Sequence, residues 1–191
     1  MSILDLAGSL KARAKIIFTP CGDGSMIWHQ WGDGAPLILL HGGSGAWNHW
    51  VRNIDGLSRH YRLLVGDIPG LGDSANPPFF FDPKDYQNSV PQLASIILNG
   101  IEHIIGDASF HLCGFSFGSI VGSYVAADAE SRLLSFTLVG ASAFGWPWGG
   151  LKKPFLSMSD KMSETDRLQV QKANLSNTML NSKVDDDLAR L

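Results

Sequence analysis

The segment Ser109-Phe-His-Leu-Cys-Gly-Phe-Ser-Phe-Gly-Ser-Ile-Val-Gly-Ser-Tyr-Val-Ala126 carries a short apolar run into Gly114-Phe-Ser-Phe-Gly118 and on into a helical pattern of small residues. A strand that feeds straight into a helix is the repeating unit of a parallel sheet, so this one run argues for an α/β fold. It also has the form of a nucleophile elbow. Ser116 would stand at the tip of a tight turn with its hydroxyl exposed, while Gly114 and Gly118 let the strand and helix backbones approach. The plainer reading is an ordinary strand-to-helix turn, since Gly-x-Ser-x-Gly arises easily in a chain with 21 glycines.

Upstream, residues 12–20 and 25–31 alternate apolar and polar around Gly22-Asp-Gly24, which predicts an antiparallel hairpin. Pro36-Leu-Ile-Leu-Leu-His41 is a continuous apolar run, as expected of a strand buried on both faces. The alternation then continues with a helix over 47–57, a strand over 62–67, a long helix over 86–105 that admits Pro91 near its start, and a strand over 110–113. A helix to about residue 128 and a strand over 133–139 complete it. The expected fold is therefore a mostly parallel sheet with an N-terminal antiparallel hairpin. From about residue 145 the chain is more polar and reads as two or three amphipathic helices, giving expected domains of 1–144 and 145–191. Asp185-Asp-Asp187 in that tail reads as a solvated helix face, because no histidine or further ligand cluster stands nearby.

Two other strand exits carry glycine. Leu40-His41-Gly42-Gly43-Ser44-Gly45 leaves the buried strand just before a helix, and its backbone could supply half of an oxyanion hole. The candidate donors are the N–H groups of Gly43 and Phe117, each of which would contribute about 3 kcal/mol to an acyl-transfer transition state. A phosphate-cradling loop is the rival reading, but neither Gly-Lys-Ser/Thr nor Gly-x-Gly-x-x-Gly is present in the required place. His41 reads as a loop anchor before it reads as a base. In Gly66-Asp67-Ile-Pro-Gly-Leu-Gly-Asp-Ser74, Pro69 and the glycines enforce turns, and Asp67 reads as scaffold before triad acid. His41, Gly42, Trp47, Phe115, Phe144 and Trp146 are the candidate lining of an apolar substrate pocket, with Trp50 and Trp148 beside them, although several could equally be core.

Taken together, His41-Gly-Gly43, Asp67-x-Pro-Gly-x-Gly-x-Ser74 and Gly114-x-Ser-x-Gly118 resemble the α/β-hydrolase superfamily, in the branch of esterases, carbon–carbon bond hydrolases, epoxide hydrolases and proline iminopeptidases. The resemblance covers nearly the whole chain. It implies that residues to about 139 are the first six strands and that the tail begins a helical cap. A serine at 116, where epoxide hydrolases carry aspartate, implies chemistry on a carboxylic ester or related acyl compound. In the family a triad acid and histidine follow the cap. All six histidines here (His29, His41, His49, His60, His103, His111) precede Ser116, so the sequence reads as ending inside the cap. The alternative expectation is a catalytically inactive remnant that binds without turning over.

The formal net charge of −3 and a pI near 6.0 offer no basic surface for nucleic acid or a membrane. No run approaches a membrane span, the start does not read as a signal peptide, and two distant cysteines suit a reduced compartment. The expectations are a cytoplasmic protein, a small-molecule ester or acyl substrate, and no metal or organic cofactor.

Overall fold

The computed structural model describes residues 1–82, 85–141, 155–159, 161–178 and 184–191. Six strands form one sheet: β1 (Lys15–Cys21), β2 (Gly24–Trp31), β3 (Ala35–Leu40), β4 (Tyr61–Gly66), β5 (Phe110–Phe115) and β6 (Leu133–Val139). Their spatial order is β1-β2-β4-β3-β5-β6. β1 and β2 pair antiparallel across the Gly22-Asp23 turn, where Gly22 has φ +57°, and β2 pairs antiparallel with β4. The pairs β3/β4, β3/β5 and β5/β6 are parallel, so the expected mostly parallel sheet with an N-terminal hairpin is the fold found.

The helices are α1 (Ile3–Arg13), α2 (Val51–Leu57), α3 (Tyr86–Ile105), α4 (Phe117–Asp128), α5 (Glu164–Thr178) and α6 (Asp186–Arg190), with a 3-10 turn over Trp47–Trp50 leading into α2. α1 was not expected from the sequence. Its signal was there, because Ser2 and Asp5 form a reciprocal capping box: Asp5 N–H donates to Ser2 Oγ at 3.2 Å, and Ser2 N–H to Asp5 Oδ2 at 3.1 Å. Pro91 lies in the second turn of α3, where it removes one helical N–H donor.

By compactness the chain divides into a unit of Leu10–Trp146 and a unit joining Met1–Ser9 with Pro147–Leu191. The expected boundary at 144/145 lies outside the described residues. In the second unit, Leu168, Val184 and Ala189 form a small core. Asp185 caps α6 by accepting from Leu188 N–H at 2.7 Å, and Asp186 accepts from Lys172 Nζ at 2.6 Å. Asp185 and Asp186 are thus occupied in capping and surface pairing, and the described residues hold no cluster suited to a metal ion. None of the described helices is long and apolar enough to cross a membrane.

The larger unit has a core on each face of its sheet, which is why the central strands read as unbroken apolar runs. Ile38 and Leu40 of β3, Leu64 of β4 and Phe110 and Leu112 of β5 meet Ala94, Ile97 and Ile101 of α3 and Val121 and Val125 of α4. Leu37, Leu39, Leu63 and Val65, pointing the other way by the two-residue period, are also buried. Trp28 is fully enclosed, and its indole N–H donates to Thr19 Oγ1 at 2.9 Å. β6 ends the sheet, with Leu134 57% exposed.

Buried polar side chains fasten the exits of β3 and β4. The fully enclosed His41 donates from Nδ1 to Gly42 O at 2.7 Å and accepts at Nε2 from Ile68 N–H at 2.9 Å. Only the neutral ring can both donate and accept, and burial pushes its pKa below the ordinary histidine value. Asp67, also fully enclosed, accepts from Trp47 N–H at 2.7 Å and from Asp73 N–H at 3.0 Å. Its carbonyl accepts from Ser74 Oγ at 2.6 Å, and Ser74 Oγ in turn accepts from Ile27 N–H at 2.8 Å. Burial pushes the Asp67 carboxyl above the ordinary aspartate range, against the pull of those two donors.

Two outcomes follow for stability. Asp67→Ala strands two backbone donors and should cost about 2–4 kcal/mol in urea unfolding, without a change of fold by circular dichroism. His41 stays neutral in the native state, so its contribution is intact above the unfolded-state value near ~6.5 and is lost as pH falls below it. Between about pH 7.5 and about pH 5.5, the stability advantage of the wild type over His41→Gln should therefore shrink by about 1 kcal/mol.

Candidate active site

β5 delivers the chain to Ser116, whose φ of 51° and ψ of −113° lie in a region that L-residues rarely occupy. Such strain costs on the order of 1–3 kcal/mol and persists only where neighbours hold it. Here Ser116 N–H donates to Val139 O of β6 at 2.8 Å, while Ser116 O accepts from Ser119 N–H at 2.9 Å as α4 begins. Ser119 Oγ donates back to Gly114 O at 2.5 Å. The flanking glycines are required by contact: a Cβ on Gly114 would lie 2.4 Å from Gly118 O, and one on Gly118 would lie 2.3 Å from Leu40 O. The half-buried Ser116 side chain makes no hydrogen bond among the described residues.

The second contact of Gly118 is with His41 O, so α4 is seated on the exit of β3 and the following glycines are carried to the elbow. A Cβ on Gly42 would sit 3.3 Å from Ser116 Cβ, and one on Gly43 would sit 3.7 Å from Phe117 Cβ. Gly42 N–H donates to His49 Nδ1 at 3.2 Å, and the His49 ring meets Phe115 edge-on at 5.7 Å. Gly43 and Phe117 open onto one cavity of about 600 Å³. Its walls come from the loop after β4, Pro69, Gly70 and Leu71, and from Phe79, Phe80 and Phe81.

That lining differs from the expected one. His41 and Trp47 do not reach the cavity: His41 is enclosed and spent on two backbone bonds, and Trp47 is buried, stacked on His29 at 5.0 Å. Trp50 is buried as well. Gly42 and Phe115 border the elbow without lining the cavity. Phe144, Trp146 and Trp148 lie outside the described residues. The phenylalanine run 79–81 carries no periodicity that would mark it as a wall, because it lies in a loop, although Pro77-Pro78 before it marks a stiff, non-random connection.

None of the six histidines hydrogen-bonds to Ser116 Oγ. His41 and His49 serve the glycine loop, the His29 ring stacks on those of Trp31 and Trp47, which also meet each other, and His111 Nδ1 meets Ser135 Oγ at 2.8 Å on the sheet. The described residues bring the strained Ser116 backbone, the backbones of Gly43 and Phe117 and a largely apolar cavity into one region of the fold.

A family model described as the alpha/beta hydrolase fold matches residues 35–180. Among curated proteins, the dihydrolipoyllysine-residue acetyltransferase component of the acetoin cleaving system of Pseudomonas putida is 31% identical over 120 residues, 62% of this chain and 30% of that protein. A pimeloyl-(acyl-carrier protein) methyl ester esterase of Vibrio campbellii is 24% identical over 152 residues, 78% of this chain and 55% of that protein. Among solved structures, a hydrolase from Pseudomonas aeruginosa PA01 superposes with a TM-score of 0.57 at 25% identity, covering 71% of this chain and 48% of that one. The chain thus spans about half the length of these proteins or less. With the family model covering most of its length and the sheet order above, the chain belongs to the α/β-hydrolase family.

Proposed function

We propose that this chain carries the nucleophile and oxyanion hole of a serine hydrolase acting on a carboxylic ester or related acyl compound. Ser116 Oγ attacks the acyl carbon, and the carbonyl oxygen takes up the negative charge facing the N–H groups of Gly43 and Phe117. Collapse releases the alcohol, which takes the proton removed from Ser116, and water then hydrolyses the acyl-enzyme. The observation that carries this reading is the strained Ser116 backbone, with Gly42 close to it and its chain neighbour Phe117 lining one cavity together with Gly43. Membership of a hydrolase family and the methyl ester esterase among the relatives support it. Because no histidine here bonds to Ser116 Oγ, the reading takes its base and orienting acid from outside residues 1–191, with residues 145–191 as the start of a cap. That same lack of a histidine contact favours the second reading, a fold that binds acyl compounds without turnover.

The two readings separate with a fluorophosphonate probe and intact mass spectrometry on the 191-residue chain and its Ser116→Ala variant. The expected result is a single slow adduct on Ser116, accelerated by added imidazole as a substitute base and absent from the variant. An adduct that persists in Ser116→Ala, or a folded chain that stays unlabelled even with imidazole, sinks the nucleophile assignment; the unlabelled chain supports the binding reading.

A further inference from the structure

We propose that the cavity beside Gly43 and Phe117 is a preformed acyl chamber, selective for an uncharged apolar acyl group and set against acyl chains that end in a carboxylate. This deepens the serine-hydrolase reading and rests on it for the orientation of the acyl carbon.

The chamber is built from a stretch that does not belong to any helix or strand, yet it is held firmly. Pro77 and Pro78 restrict the backbone ahead of Phe79-Phe-Phe81. Gly70 N–H donates to Ala75 O at 2.9 Å, closing the loop on itself, and Ala75 N–H donates to Ser25 O at 2.9 Å, tying it to β2. At its far end, Asp82 N–H donates to Ser89 Oγ of α3 at 3.2 Å. Phe81 meets the Phe117 ring edge-on with centroids 5.9 Å apart, so the wall is in contact with the residue that opens α4. Leu93 of α3, 2% exposed, closes the base.

Shape and chemistry then decide the occupant. A volume of about 600 Å³ is within the range of sites that enclose a small organic ligand. Among the described lining residues none is charged, and Asn76 is the one with a polar side chain. A carboxyl group at the oxyanion-hole end would meet two N–H donors. A second carboxylate at the far end of the same chain would lose water with no cation among the described lining residues to receive it. Phe80, 86% exposed, stands where the chamber meets solvent and can be exchanged without disturbing the core.

The probes are octanoate, hexanoate and octanedioate, titrated calorimetrically into the 191-residue chain. Octanoate should bind more tightly than hexanoate by about fourfold per added methylene. Octanedioate, equal to octanoate in length but charged at both ends, should bind about tenfold or more weakly. Phe80→Arg should weaken octanoate and strengthen octanedioate, reversing or erasing the preference. Equal binding of octanoate and octanedioate, affinity indifferent to chain length, or an unchanged preference in Phe80→Arg would each overturn the chamber. The fluorophosphonate result reports separately. A chain that shows the acyl preference but never labels at Ser116 keeps the chamber and loses the nucleophile. A chain that labels at Ser116 without the preference loses the chamber alone.

Discussion

The backbone of Gly118 lies directly against the carbonyl groups of Leu40 and His41, and the site is assembled around that approach. No side chain fits between them. Because β3 and β5 are neighbours in the sheet, their C-terminal exits emerge side by side, and seating α4 on the β3 exit brings the glycine loop to the elbow. The two candidate oxyanion donors are therefore backbone groups placed by strand adjacency and not by flexible side chains. This is the condition under which fixed dipoles can stabilise developing charge without reorganising.

Buried polar groups hold that arrangement in register. His41 ties its own exit to that of β4, Asp67 gathers Trp47 and Asp73, and Ser74 links the β4 exit to β2. Each such bond adds only about 1 kcal/mol net, while leaving a partner unsatisfied in the interior costs more. Their effect is consequently to specify one loop geometry. The apolar residues of the neighbouring loop are left to shape the cavity, so positioning and enclosure fall to different residue types drawn from the same short stretch of chain.

Much of the fold was legible because strand and helix periods are local. The run at 36–41 announced a strand buried on both faces and that at 62–67 a further strand, and the long helix over 86–105 matches α3 end to end. The elbow could be read from Gly114-x-Ser-x-Gly118, whose two glycines answer to contacts that a Cβ would violate. Misplacements came where a residue's character is local but its surroundings are not. Trp47 has the chemistry of a pocket wall, yet the carboxylate of Asp67 fixes its backbone N–H, and its ring stacks with His29 from β2, a partner that nothing in its own segment reveals. Phe79, Phe80 and Phe81 carry no period at all, and only the bonds of their loop to β2 and α3 turn them into a wall.

The amino-acid sequence by itself determined the alternation of strands and helices, the hairpin at the start and the glycine-flanked serine. All of these depend on residue type and spacing over a few positions. The strand order β4-β3-β5 was decided only by tertiary structure, and with it the meeting of Gly43 with Phe117 and the closing of residues 69–81 around the cavity beside them. Those groups are tens of residues apart in the chain. Their proximity arises from the burial of both sheet faces and the satisfaction of the polar groups at the strand exits, which are properties of the whole packed unit rather than of any one segment.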